Sequence, residues 1–335
     1  MWLFSRNRDL GLVFLPVWLL LAFAFFLPDN ILYAEVPLWL WVVAILMLDV
    51  GHVWSTLFRV YLHKDVRSAY GSSLILLPLS VFIGAFLIFS CSIHLFWSMM
   101  AYLAVFHFIK QQAGFLMLYK RRNGDLNFDK LDKIVLYGTT LIPMIIWHFS
   151  SKRNFEWFVE GDFFTVNLES YYVHQILTVI LLISLLYWVY KRWSSVSLPV
   201  ALWIFTTALN WYLPIAYFNS DIVFSVTNVV AHGIPYFLLV TLYQNKKVNK
   251  GFYKTLILVV SVSVFFATME ELGWDLFVNK EKFFPNMGAN FSSDILVTIV
   301  VAILTVPQVT HYVLDGWVWK RSEKNEDLKN LFTNE

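Results

Sequence analysis

The stretch PLWLWVVAILMLDVGHVWSTLFRVYLH, residues 37–63, combines an apolar run long enough to cross a bilayer with a regular series of polar residues. Asp49, His52, Thr56, Arg59 and His63 follow one another at steps of three and four, which places all five on one face of a helix. Polar groups are costly in hydrocarbon unless they find partners. The stretch therefore predicts a membrane-spanning helix whose polar face meets other protein rather than lipid.

The composition of the whole chain is that of a membrane protein. Of its 335 residues, 59% are apolar and 14% charged, whereas soluble domains carry about 25% charged residues. The net charge of +2 is small and scattered, so nucleic acid is excluded as a partner. The single cysteine, Cys91, excludes an internal disulfide, thiolate zinc clusters and iron–sulfur chemistry. We expect an all-α, polytopic helical bundle whose main partner is the lipid bilayer.

Runs of apolar residues define the predicted spans. The first is interpreted as an uncleaved span rather than a signal peptide, because its apolar run continues to Leu27. No repeat or linker separates domains, so one integral-membrane domain is predicted over residues 1–335. The ten predicted spans are 10–27, 37–58, 73–92, 94–118, 134–149, 172–190, 197–217, 222–243, 253–268 and 295–319.

The basic residues predict the orientation of these spans. With the N-terminus inside, the cytoplasmic segments hold 20 of the 25 Lys and Arg residues, while the external side holds only Lys152, Arg153, Lys280 and Lys282. This asymmetry indicates ten spans with both termini in the cytoplasm. We expect a multi-pass protein of the bacterial inner (cytoplasmic) membrane.

Two predicted external segments, near 151–170 and 271–293, are longer than turns. Their mixture of Trp, Phe and acidic residues suits helices at the membrane interface. They are interpreted as an aromatic belt with connecting loops or, alternatively, as a lid over a lipid-accessible entrance.

Four histidines lie at a similar predicted depth on four different spans. His52, His107, His232 and His311 are placed about 10 to 16 residues from the external ends of spans two, four, eight and ten, which run in the same direction. At 1.5 Å per residue they fall within roughly 9 Å of one another along the membrane normal. The sequence therefore predicts one imidazole from each of four helices in a common layer.

Each of these histidines has polar neighbours one helical turn away. The neighbours, which we take as candidate catalytic residues, are Asp49 before His52, Gln111 after His107, Asn228 before His232, and Gln308 and Asp315 on either side of His311. Neutral imidazole is the commonest biological metal ligand, and its second nitrogen usually donates to a carboxylate or amide. The pattern predicts a metal site with these four histidines as ligands; the acids and amides are ligands or outer-shell groups.

The alternatives to a shared metal site are a proton relay or solute pathway and structural hydrogen bonding between helices. A ligand set of nitrogen and oxygen without thiolate suits iron or copper and is compatible with zinc. Arg59, on the same face as His52, is predicted either to extend to the membrane edge or to bind an anionic group, and we take it as a candidate substrate-binding residue.

Two short stretches of the chain resemble the bacterial integral-membrane beta-carotene dioxygenases. They are GHVW at 51–54, with an acid three residues before its histidine, and FHFIKQQ at 106–112. In that family helix-borne histidines hold a non-haem iron, and the resemblance implies that His52 and His107 correspond to the first two ligands. The family's HGxxD arrangement is not reproduced around His52. Its later, closely spaced histidine pair is replaced here by His232 and His311 on separate spans.

These observations lead to a functional hypothesis. We expect a membrane-embedded metal-dependent oxygenase or oxidase, most simply with iron, acting on a lipophilic small molecule such as a carotenoid, isoprenoid or acyl chain. The alternatives are a proton-coupled transporter using an intramembrane His/Asp relay and a haem-binding electron-transfer protein. Substrate, metal identity, electron donor and oligomeric state are open at this stage.

Overall fold

The computed structural model describes residues 1–125, 130–150, 153–166, 171–283, 294–320, 322–328 and 331, and all secondary structure in them is helical. The helices are α1 Arg6–Ala24, α2 Asp29–Leu32, α3 Leu38–Tyr61, α4 Lys64–Tyr70, α5 Ser73–Cys91, α6 Ile93–Arg122, α7 Lys130–His148, α8 Tyr171–Arg192, α9 Leu198–Phe218, α10 Asp221–Val248, α11 Phe252–Asn279 and α12 Asp294–Val318. A 3₁₀ turn, Glu323–Leu328, follows α12.

Nine of the helices in the described residues are long and apolar enough to cross a membrane. They are α1, α3, α5, α6, α8, α9, α10, α11 and α12. The prediction of an all-α protein with many apolar spans is confirmed to this extent. The predicted span 134–149 corresponds to α7, which is not among the nine, and its first turn carries Lys130, Asp132 and Lys133.

Helix α11 differs most from its predicted span. The prediction ended at residue 268, but the helix continues to Asn279 and includes Glu270 and Glu271. Glu271 was placed in the predicted interfacial segment 271–293, and Glu270 just beyond the predicted span. In the structure Glu270 is buried and accepts a hydrogen bond from Trp54 Nε1 at 2.7 Å. Because the Trp54 N–H group satisfies the buried Glu270 carboxylate, the acid can lie inside the helix and the helix can continue past it.

The two predicted interfacial segments fall partly on described residues. Residues 153–166 form turns instead of the expected helix, and Asp162 accepts the backbone N–H groups of Trp157 and Phe158. Residues 280–283 wrap around Asp275, which accepts three of their N–H groups. Residues 151–152, 167–170 and 284–293 lie outside the described part, so the interfacial location stays a prediction.

The contacts divide the chain into two compact units. Unit 1 comprises Met1–Val36 and Val105–His232; unit 2 comprises Pro37–Ala104 and Gly233–Glu335. The predicted single domain over 1–335 is not tested by this division and stays a prediction.

In unit 1, α7 packs against α8 and α9, and α9 also packs against α1. The chain start folds around Asp9, a buried carboxylate that accepts the backbone N–H groups of Leu3, Phe4 and Ser5 and the hydroxyl of Tyr119. Since the carboxylate satisfies these donors, a charged group is tolerated inside this apolar unit.

In unit 2, α12 packs along α5, and α11 packs along α3. Gly233 on α10 allows a close helix approach, because a Cβ atom there would lie 2.6 Å from the backbone oxygen of Leu48 on α3. The buried apolar residues between these helices include Phe58, Phe237 and Val259. This packing holds the polar faces of α3, α10 and α12 in one interior.

Candidate metal centre

Helix α3 supplies the first imidazole of unit 2. His52 lies in the α-helical segment Gly51–Thr56, which is flanked by wider π-helical turns over Val42–Val50 and Leu57–Tyr61. The His52 side chain is buried, and its Nδ1 lies 3.2 Å from the carbonyl oxygen of Leu48. If Nδ1 donates to that carbonyl, the lone pair is on Nε2, which is then the ligand atom.

Helix α12 supplies the second imidazole. The ring centroids of His311 and His52 are 4.9 Å apart with an angle of 76° between the ring planes. His311 is buried, and its Nδ1 lies 2.7 Å from Thr56 Oγ1 on α3. Its other nitrogen, Nε2, is 3.7 Å from Asp315 Oδ2. Two imidazoles and a carboxylate therefore meet inside unit 2.

Tyr236 on α10 completes this cluster, and the sequence analysis missed it. Its ring lies 5.5 Å from that of His52 and 5.2 Å from that of His311. Its hydroxyl donates to Asp315 Oδ1 at 2.5 Å, which orients that carboxylate. A usable signal was its spacing of four residues after His232, which places it on the same polar face of α10.

The two predicted acids of unit 2 occupy different positions. Asp315 is 12% exposed and is held by Tyr236, whereas Asp49 is 29% exposed with its Oδ1 3.9 Å from His52 Nδ1. Asp49 does not hydrogen-bond His52 at this distance, and His52 Nδ1 is closer to the Leu48 carbonyl. Asp315 is therefore the better placed carboxylate beside the imidazoles.

A hydrogen-bonded pair of polar side chains, Gln308 and Glu270, lies one helical turn from His311 along α12. Gln308, one turn before His311, is hydrogen-bonded to Glu270 of α11, which also accepts from Trp54. Gln308 was predicted from the sequence, whereas Glu270 lies beyond the end of the predicted span 253–268 and was not. The signal available was the tryptophan content of the facing helices, since an indole N–H is a suitable donor to a buried carboxylate.

Unit 1 holds the other two predicted histidines in a similar arrangement. The ring centroids of His107 on α6 and His232 on α10 are 5.0 Å apart, and both side chains are buried. The ring of Phe108 lies 4.0 Å from that of His232. This pair is again one edge-to-face contact between imidazoles contributed by different helices.

The two predicted amides of unit 1, Gln111 and Asn228, lie one helical turn from the histidines in sequence. Neither hydrogen-bonds an imidazole of the pair. Gln111 donates from Nε2 to the backbone oxygen of His232 at 2.7 Å, rather than to an imidazole. Gln111 Oε1 and both polar side-chain atoms of Asn228 are buried without a hydrogen-bond partner among the described residues. Such atoms are costly, and a ligand or water would satisfy them.

Arg59 lies two helical turns after His52, near the C-terminal end of α3. It is fully buried and donates to Asp327 Oδ2 at 3.1 Å and to the backbone oxygen of Val318 at 2.7 Å. Its guanidinium carbon lies 4.4 Å from the ring centroid of Tyr243, which itself donates to Asp327. These contacts give Arg59 a structural role in unit 2; its predicted role in substrate binding is not tested by them and stays a prediction.

We expect Gly233→Ala to destabilise the protein and loosen the His52 environment. The added methyl group would collide with the Leu48 carbonyl, the same group that His52 Nδ1 contacts. Overpacking of this kind costs about 1–3 kcal/mol, measured as a lower unfolding midpoint in detergent. The matched control is Gly316→Ala on α12, where a Cβ atom meets nothing within 4 Å. It should be neutral or slightly stabilising, since alanine favours helix; equal effects of the two variants would contradict the prediction.

Comparisons with known proteins add no assignment. The chain matches no protein-family model, no curated protein and no solved structure. What the fold defines is a class: an all-helical chain with nine apolar helices of membrane-spanning length in the described residues, which indicates a multi-pass membrane protein.

Proposed function

We propose that the protein is a membrane-embedded, metal-dependent oxidoreductase, an oxygenase or oxidase, that acts on a lipophilic substrate. The observation that carries the proposal is the buried cluster of unit 2, in which His52 and His311 are in ring contact and Asp315 lies 3.7 Å from His311 Nε2. Two imidazoles and one carboxylate are the protein ligands of many non-haem iron(II) oxygenases. The donors come from two helices, and Tyr236 on a third orients the carboxylate.

The proposed ligands are the four histidines predicted from the sequence. His52 and His311 contribute from unit 2 and His107 and His232 from unit 1, with iron as the most suitable ion and copper or zinc as alternatives. Asp49, Asp315, Gln111, Asn228 and Gln308 would act as further ligands or as orienting groups, and Arg59 would contact an anionic part of a substrate. Metal stoichiometry distinguishes one ion bound by all four imidazoles from one ion for each pair.

The chemistry follows from the environment of these groups. A bound metal would supply dioxygen activation or Lewis-acid chemistry next to hydrocarbon. The protein residues exclude water, since the imidazoles are almost fully buried, and the Tyr236 hydroxyl is placed to hold a proton next to Asp315. A carotenoid, isoprenoid or acyl chain would reach such a site from the bilayer.

The proposed membrane topology has ten spans and both termini in the cytoplasm, in a bacterial inner membrane. The charge asymmetry of the loops supports it.

Elemental analysis of the native protein, purified in mild detergent without chelator, tests the proposal. We expect iron, or failing that copper or zinc, at about one ion per chain or more, and chelator treatment should lower the unfolding midpoint because a ligand that binds the folded state stabilises it. Metal at background in native protein would overturn the proposal. A Soret band would identify haem and reassign the histidines as its axial ligands.

Proton-coupled transport is the second candidate, and one observation favours it. Tyr236 donates its hydroxyl to Asp315 Oδ1, and Asp315 Oδ2 lies 3.7 Å from His311 Nε2. Such chains of titratable groups inside a membrane mark proton relays. Metal-free protein that produces pH-dependent flux in liposomes, lost in His311→Ala, would favour transport over oxidation.

A further inference from the structure

A basic groove lies on unit 1, away from the histidine pair, where the N-terminal end of α7 packs against the C-terminal end of α8. Its volume is about 430 Å³, and it is lined by Lys130, Leu131, Ile134, Tyr187, Lys191 and Arg192. The lining combines three cationic side chains with aliphatic and aromatic ones. A soluble small anion needs only the cationic part of such a lining.

The charges around the groove leave it positive. Arg192 Nε lies 3.4 Å from Asp132 Oδ1, and the buried Lys120 contacts both Asp132 and Asp125. Among the residues that the structure describes, these two cations are thus balanced by two acids, and the charges of the two groove lysines remain in excess. Both lysines are exposed. The local field therefore favours an anionic occupant.

The surrounding aromatic residues place the groove at headgroup depth. Tyr187, Tyr190 and Trp193 near the end of α8 are 50%, 77% and 81% exposed. Exposed Tyr and Trp at the end of an apolar span are typical of the membrane–water interface. Lys191 lies over both tyrosine rings, with Nζ 5.6 and 5.8 Å from their centroids. A cation held in this way is presented toward the headgroup region.

An apolar track continues from the groove along α7. Ile134, Leu141 and Ile145 are exposed by 65%, 44% and 42% and share one helix face at spacings of seven and four residues. The track begins inside the groove, at Ile134, and runs toward the opposite end of the helix. An occupant with both an anionic head and an acyl chain would contact the groove and the track together.

We propose that this groove is a binding site for an anionic glycerophospholipid. The headgroup phosphate lies among Lys130, Lys191 and Arg192, and an acyl chain follows the apolar face of α7. Basic pockets between spans, next to an aromatic belt, have the chemistry that recognises anionic headgroups. The site is separate from the imidazole pairs, so it is independent of the proposed oxidoreductase function.

The test compares native protein with the double variant Lys130→Gln/Lys191→Gln, both reconstituted in phosphatidylcholine nanodiscs with increasing phosphatidylglycerol. Native mass spectrometry after detergent release measures the retained lipid. We expect one phosphatidylglycerol retained by native protein and an affinity lower by about fivefold for each charge removed. Arg192 is left in place because its contact with Asp132 supports the fold.

The control is Lys254→Gln, which removes an exposed lysine at the start of α11 in unit 2. It should retain phosphatidylglycerol like the native protein. A second arm adds millimolar inorganic phosphate, which should neither displace the lipid nor raise the unfolding midpoint. Equal retention by the double variant and the control would overturn the proposal, and so would complete displacement by phosphate, which would identify a simple anion site.

Discussion

Replacing His311 or His52 with alanine is expected to lower the metal bound at the unit 2 cluster by about tenfold or more, because each change removes an imidazole from the cluster beside Asp315. His107→Ala and His232→Ala should do the same at the pair in unit 1. If one ion is bound by all four, every variant loses all the metal. If each pair binds its own ion, each variant loses half of the total. Inductively coupled plasma mass spectrometry of detergent-purified protein measures both patterns.

The control for these variants is His94→Ala, which removes an exposed histidine near the start of α6 and should leave the metal content unchanged.

Tyr236→Phe is the sharper probe of unit 2. It keeps the ring against both imidazoles and removes only the hydroxyl that donates to Asp315, so the metal retained at the unit 2 cluster should fall by about tenfold while folding is preserved. Unchanged metal in all four alanine variants would exclude these histidines as ligands.

Asp327→Ala is expected to destabilise the protein by about 3–5 kcal/mol, because it leaves the guanidinium of Arg59 buried without its carboxylate. The change also removes the acceptor of the Tyr243 hydroxyl. The effect is measured as a shift in the midpoint of thermal or sodium dodecyl sulfate unfolding, starting from protein in mild detergent.

A double variant separates the charge from the packing. Arg59→Met/Asp327→Ala should be less destabilised than Asp327→Ala alone, since no buried charge then lacks a partner. The control is Glu323→Ala, an exposed acid in the same 3₁₀ turn, with an expected effect within about 0.5 kcal/mol. A double variant worse than the single one would indicate that Arg59 contributes chiefly through its other contacts, with Val318 and Tyr243.

The lengths of most helices were predictable because a span is a local property. An apolar run of suitable length is helical in a bilayer whatever it packs against, since every backbone N–H group needs a partner within the segment. The prediction erred where a titratable residue lay near the end of a run. Glu270 was placed outside its span, although the folded protein supplies Trp54 as a donor and the helix continues.

The polar faces were also predictable, helix by helix. The spacing of three and four residues placed Asp49 beside His52 and Asp315 beside His311. Asp49 Oδ1 lies 3.9 Å from His52 Nδ1, and Asp315 Oδ2 lies 3.7 Å from His311 Nε2. The same spacing put Gln111 near His107, but its amide donates to the backbone of His232 on another helix. The helical period identifies the face of the helix on which a side chain lies. It gives no information about which atom of a neighbouring helix that side chain contacts.

The sequence alone determined that this is an all-helical chain of apolar spans with histidines, acids and amides on interior faces, because composition and helical period act within each segment. Only the tertiary structure decided which of these groups meet: His52 with His311, Tyr236 with Asp315, and Arg59 with Asp327. Those contacts join residues far apart in the chain. They depend on the rotation and close approach of packed helices, as at Gly233 and Leu48, which no single segment encodes.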